Sequence, residues 1–418
     1  MGFPFVYFVV FIFFRDVRMA EGSGHFTLKT QQITHGPSEN HFFGYIGHAG
    51  TVPWSSDGRY IVCLRTTFQD HMPGRGEPAD ICLLDTANGY VVEKVDQTEG
   101  WNPQQGTMLY WNPDAPDTQF FFNDANEDGK IFTVLYDVST RTRVKEYRYA
   151  EGPFGNSGVA QQGGWFCGLN YARMARLRRV TGYVDTWDWT VGVDHPEDDG
   201  IFKVDIATGE WEVIVSFAQL AEAIAPTHDG EPVPALFINH TLCNRANDRI
   251  YFYARAGWGG NPGKKVNQPF TVRPDGSELT LQTGFVGGHP EWEAGETNRI
   301  IGERDGKLVL WDTDLQDLVG QIGTPDIIKG PRGDTALSLD GQWTVTGYGI
   351  EKHYNEWAVY RRTDGAWART DRYDQRPYVK GDLRSDPAPL WHPDGSQILF
   401  PSMVADGSRQ LHVIAVEA

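Results

Sequence analysis

The chain is expected to be all-β, folded as a single seven-bladed β-propeller, and three features of the sequence lead there. Seven times an apolar, β-prone run follows a short polar turn, and a second run closed by its own turn comes next. The period is regular: the openings are spaced by about 46 to 57 residues, with one gap of about 78. Asp-Gly, Thr-Gly and Asn-Gly turns separate alternating Val, Ile, Tyr, Phe and Trp, so each pair of runs reads as a four-stranded meander.

The openings, in order, are PWSSDGRYIVCL from Pro53, YWNPDAPDTQFFF from Tyr110, GGWFCGLN from Gly163, TLCNRANDRIYFYAR from Thr241, EWEAGETNRIIGE from Glu291, SLDGQWTVTGYG from Ser338 and LWHPDGSQILFPS from Leu390. Their partners run from ICLLDTANGYVVEKV in the first unit to WAVYRRTDGAWARTDRY in the sixth. The seventh has only LHVIAV and lacks an outer strand. HFTLKTQQI near the N-terminus is expected to supply it and close the ring, which removes a free sheet edge. SFAQLAEAI, Ser216 to Ile224, is the one stretch with helical periodicity and reads as a short surface helix between blades.

Repeat architectures grow without splitting, so residues 25–418 form one domain despite the length. Residues 1–24 stand apart. Their FPFVYFVVFIFF run is too short for a membrane span, has no basic lead-in and no A-x-A site after it, and Met19 starts an ordinary-looking MAEGSGHFTL. It reads as an over-extended start or a weak export signal.

A net charge of −18 sets the mean surface field against nucleic acid and anionic membranes. The four cysteines, Cys63, Cys82, Cys167 and Cys243, are isolated within strand patterns and form no CxxC pair, so they read as buried free thiols. That favours a cytoplasmic location, with the periplasm or secretion as the alternative if the apolar segment is a signal.

In a propeller the first strand of each blade lines the channel, so residues just before it converge at one mouth. Those positions carry His48, Gln104, Gln105, His240, His289, Asp334, Arg384 and Asp386. Imidazole and carboxylate together suit a divalent cation such as Mn²⁺, Zn²⁺ or Ca²⁺. A second constellation, LNYARMARLRRVTGY, puts Arg173, Arg176, Arg178 and Arg179 within seven residues. Guanidinium forks bind carboxylate, and Tyr171 or Tyr183 can donate a proton to a leaving oxygen. The competing reading pairs these arginines with the acids of VDHPEDDG, Val193 to Gly200. Of 14 tryptophans, Trp101, Trp187, Trp189, Trp258 and Trp292 fall in expected loops, where an indole face can stack on a sugar. No GxSxG elbow, P-loop, HExxH or strand-linked GxGxxG occurs, so nothing supports a serine hydrolase, an NTPase, a zincin or an organic cofactor.

FGYIGHAGTVPWSSDGRYI, WNPQQGTMLYW, LNYARMARLRRVTGY, INHTLCNRANDRIYF, GHPEWEAGETNRII and RSDPAPLWHPDGSQILF together resemble the propeller lyases typified by oligogalacturonate lyase, and more broadly TolB-type propellers. The resemblance runs over most of the chain from about His41. It implies that His240 is the base and His289 a metal ligand. Two departures stand out: the family's His-Pro-His run reads Asp386-Pro387-Ala388, and the arginine expected before IFKVD is Gly200.

On this resemblance the chain is expected to cleave a uronic-acid-containing oligosaccharide by β-elimination. His240 takes the C5 proton, His289 and Asp386 with a metal neutralise the carboxylate, Arg176 or Arg178 assists, and Tyr171 protonates the leaving oxygen. Arg173, Gln104, Gln105, Arg384, Trp292 and His48 are the expected substrate-binding residues. Two other readings stand beside it. A glycoside hydrolase would need two carboxylates about 5 to 9.5 Å apart, with Asp334 and Asp386 as the candidates. A non-catalytic glycan- or protein-binding propeller needs neither.

Overall fold

The computed structural model describes residues 21–44, 53–259, 261–295 and 297–417. The apolar N-terminal run and His48 lie outside the described residues.

The architecture is an all-β propeller. Among the described residues there are five four-stranded antiparallel sheets and one nine-stranded sheet. The first sheet holds Asn40–Phe42, Tyr60–Thr66, Ala79–Asp85 and Val91–Thr98. The second begins at Tyr110–Trp111, the third at Gly155–Val159 and the fourth at Phe237–Cys243, each followed by three further strands in chain order. The fifth and sixth units, expected to be separate, run together into the nine-stranded sheet. They meet where their first strands, Gly287–Trp292 and Asp334–Leu337, pair in parallel at His289 and Asp334. The last sheet starts at Leu390–Trp391 and ends with Thr27–Gln32, which pairs antiparallel with Arg409–Glu417 from Thr27 opposite Glu417 to Gln32 opposite His412. The N-terminal strand therefore supplies the missing position, as expected.

Alternation of side chains across each strand puts one set against each neighbouring sheet, and the core is the stack of these interfaces. Phe154 stacks on Phe202 at 4.0 Å, and Trp357 meets Phe400 at 4.0 Å. Tryptophans at the ends of first strands tie successive units together. Trp111 Nε1 donates to Pro53 O (2.6 Å), Trp292 Nε1 to Leu242 O (2.8 Å) and Trp391 Nε1 to Ala336 O (3.1 Å).

Two helices interrupt the sheets. Phe217–Ile224 forms where its periodicity predicts, with Ser216 and Gln219 making a reciprocal capping box. Tyr171–Leu177 was not expected, because seven residues are too few to show a period. Its signal was local: the Asn170 side chain accepts from Arg173 N at 2.9 Å, closing the first turn. All four cysteines are buried free thiols.

Candidate functional site

The first strands of the third, fourth and fifth units carry β-bulges, which insert unpaired residues and re-aim side chains. In the fourth sheet the register runs from Asn239 opposite Tyr253 directly to Leu242 opposite Tyr251, so His240 and Thr241 share the span facing Phe252. His240 takes a left-handed φ of 63°, an uncommon conformation outside glycine. A similar shift between Gly287 and Glu291 displaces His289. Gly288 makes it possible: at φ 78° a Cβ would lie 2.9 Å from the carbonyl oxygens of Arg332 and Gly333.

The two bulges bring the imidazoles together, with ring centroids 5.2 Å apart. They border a cavity of about 30 Å³ that also meets Gln104, Gln105, Arg178, Thr181, Asn239, Arg255, Arg384 and Asp386. Such a volume holds about one or two waters. Gln104 and Gln105 sit on the loop before the second sheet, where both backbone N–H groups donate to Asn102 Oδ1 (3.0 and 2.7 Å). Arg178 caps the C-terminus of the helix Tyr171–Leu177 and lays its guanidinium over Trp258, 4.6 Å from the ring centroid. Arg255, from the second strand of the fourth sheet, donates to Asn239 Oδ1 (2.5 Å) and Asn267 Oδ1 (2.8 Å). Arg384 holds Asp386 through Nε (2.7 Å) and Nη2 (3.3 Å).

The electrostatics follow from this crowding. Burial pushes the His240 imidazole well below its ordinary value, and the charges of His289, Arg255 and Arg178 push it the same way. Burial lowers the Arg178 guanidinium to about 10, helped by Arg255 and Arg384. His289 Nδ1 is hydrogen-bonded to Asp334, whose second oxygen accepts from Ala388 N at 2.7 Å.

Seven of the residues expected from the sequence thus line one cavity: Gln104, Gln105, Arg178, His240, His289, Arg384 and Asp386. Others go elsewhere. Arg173 is fully buried and spends its guanidinium on Leu236 O, Thr190 Oγ1, Val193 O and Asp194 O, so it braces the loops and is not a substrate-binding residue. Arg176 is paired with Asp188 at 2.7 Å and opens on a different, outer pocket, which removes it from the catalytic set. Trp292 is 0% exposed and bonded to Leu242 O, so it has no face for a sugar. Tyr171 is buried, stacked on Tyr183 at 4.3 Å, and donates to Asn156 O at 3.0 Å; burial also drives its hydroxyl well up. It backs the His240 wall from a small inner void and is not placed as the acid.

Arg255 and Asn239 were missed. The signal was an arginine inside the aromatic strand run IYFYARA, which an apolar reading passes over. The arginine expected at Gly200 has no room: at φ 156° a Cβ there would sit 1.9 Å from Val215 O.

The residues present do not fit a divalent metal. Among the described residues no group of three or more His, Cys, Asp or Glu side chains is arranged to hold one. Asp386 is committed to Arg384, and three guanidiniums share the cavity with it. Among the described residues the expected ligand pair His289 and Asp386 is not joined by a third ligand. Asp334 and Asp386 are likewise both engaged, so neither stands ready as the carboxylate pair of a glycosidase.

No family model matches the chain, and no curated protein matches it. Solved structures do. An oligogalacturonate lyase in complex with manganese is similar over 95% of this chain and 98% of its own, with a TM-score of 0.60 and 15% identity. TolB from Acinetobacter baumannii gives a TM-score of 0.42 at 12% identity over 87% of this chain and 82% of its own. The Cps50 (Swd1) β-propeller domain of Myceliophteria thermophila gives 0.47 at 11% identity over 93% and 99%. What the chain shares with the first of these is its propeller fold, along nearly the whole length of both proteins.

Proposed function

We propose that this chain is a seven-bladed propeller and a carbon–oxygen lyase that cleaves uronate-containing oligosaccharides by β-elimination. The blade count takes the two meanders joined at His289 and Asp334 as separate blades. The observation that carries the activity is the meeting, at one small cavity, of an imidazole held uncharged and a set of guanidiniums.

β-Elimination needs those two things. His240, neutral because burial and neighbouring cations disfavour its protonated form, takes the proton from C5 of the uronate. The electron pair moves into the adjacent carboxylate, where the cavity's positive charge stabilises it. Its return forms the C4–C5 double bond and breaks the C4–O bond. His289, entering the step as the imidazolium, delivers its Nε2 proton to the departing oxygen, with Asp334 accepting from Nδ1 and so setting the ring's orientation. The partner is an acidic oligosaccharide, drawn to a local cationic pocket in a chain whose net charge is −18. Fold similarity to an oligogalacturonate lyase supports the reading.

The test is ultraviolet absorbance of the conjugated product while the purified protein meets pectic, alginate, ulvan and glucuronan oligosaccharides. A rise with one of them identifies the substrate. Binding without a rise would assign the chain as a glycan-binding propeller.

A further inference from the structure

Two arginines in the cavity stand out in a chain with 55 acidic residues. Among the described residues no carboxylate pairs with either Arg178 or Arg255. Arg255 is nine-tenths buried and is held by two neutral side-chain oxygens, those of Asn239 and Asn267. Arg178 rests on the Trp258 ring. Two other buried arginines are matched to acids, Arg249 with Glu278 at 3.1 Å and Arg369 with Glu21, whereas Arg173 is held by backbone carbonyls and a threonine hydroxyl. Asp386 and Asp382 act on Arg178 without pairing with it, and burying two guanidiniums together with no carboxylate paired to either is costly unless an anion joins them.

Two amides point the same way. Gln104 Nε2 and Asn239 Nδ2 are buried, line the cavity and have no hydrogen-bond partner among the described residues. Both are donors, as are the guanidiniums, so the cavity calls for an acceptor-rich group. The one carboxylate lining it among the described residues, Asp386, is already held by Arg384. The loop beneath Arg178 is fixed as well: Asn261 Nδ2 donates to Leu177 O at 2.5 Å and to Trp258 O at 2.9 Å. Donors aimed in advance at a developing charge are the more effective for not having to reorganise.

We infer that Arg178 and Arg255, assisted by the amides of Asn239 and Gln104, form a carboxylate clamp that neutralises the uronate without a metal ion. The inference rests on the lyase reading for its substrate but is separable from it by experiment. The clamp selects uronates with a free carboxylate. A methyl ester cannot accept the same pair of charge-assisted hydrogen bonds.

The experiment is calorimetric titration of the full chain, stripped with EDTA and kept in it, with short oligomers of galacturonate and of glucuronate, each alongside its methyl ester. Product absorbance is followed in parallel. The expected result is binding of a free acid and at least tenfold weaker binding of its ester, with no change on adding Mn²⁺. Arg178→Gln and Arg255→Lys, checked for folding by circular dichroism, should each weaken the acid at least tenfold and leave the ester unchanged. Binding that vanishes in EDTA and returns with Mn²⁺ overturns the clamp, and so does equal affinity for acid and ester or no binding of any oligomer. Ester-sensitive binding without absorbance gain leaves the clamp standing and refutes the lyase reading instead.

Discussion

Asp334 accepts a hydrogen bond from His289 Nδ1, and the same two residues make the parallel pairing that joins the fifth and sixth units into one sheet. The orientation of the His289 ring and the continuity of the scaffold are therefore carried by one contact. Asp334→Asn keeps the size but offers a single carbonyl oxygen to two donors, His289 and Ala388 N. Steady-state kinetics should show kcat lowered by about 10²-fold with KM little changed, the pattern of a lost transition-state interaction. An unchanged kcat would remove His289 from the proton transfer.

The protonation of His240 gives the pH profile its shape. Its imidazole is pushed below the ordinary value, so the neutral base form persists as pH falls through about 6.5, the value for an unperturbed histidine. The acid limb of kcat/KM should lie below that pH. Arg255→Gln removes one of the cations that lower it and should move the limb upward. A limb already at or above 6.5 in the parent would show that His240 is not the group being titrated.

Trp292 works as a latch between the fourth and fifth units, not as a platform for sugar. Trp292→Phe leaves Leu242 O without its donor and opens a small void. Denaturant unfolding should show a loss of about 1–3 kcal/mol. Affinity for uronate oligomers should stay as in the parent, and a selective loss of binding would return the residue to the site.

His412 provides a stability test with a defined sign. It is buried, stacked on Phe400 at 5.1 Å, and lowered to about 4 by burial. The folded pKa lies below the unfolded one, so the unfolded chain binds more protons between them, and this contribution to stability is lost as pH falls from about 6.5 towards 4. Asp199, raised to about 7 by burial, works in the opposite direction over part of that range. Comparing the parent with His412→Gln cancels the Asp199 effect. The parent's Tm relative to the variant should fall as pH drops across the window; a constant difference would mean that His412 does not stay neutral.

Much of this was legible in the sequence because the repeat indexes positions across distant segments. Counting back from each opening brings His240, His289, Arg384 and Asp386 to one mouth, although up to 146 residues separate them, and the same counting assigns the closing strand to Thr27–Gln32. What stayed hidden depends on local geometry finer than the repeat. Arg173, Arg176 and Arg178 look alike in a cluster, yet one turn of unrecognised helix sends the first into backbone carbonyls, the second to Asp188 and the third into the cavity. Arg255 lies within a strand of aromatic and apolar residues, opposite Phe237. Trp292 reads as a loop residue until its indole N–H is seen to hold the preceding unit.

The most direct test of the lyase assignment follows product absorbance for the parent and for His240→Ala on the same uronate oligosaccharide, with circular dichroism confirming that both are folded. The expected result is a steady rise for the parent and a rate at least about 10²-fold lower for the variant. Equal rates, or no rise from the folded parent on any uronate oligosaccharide, would contradict it.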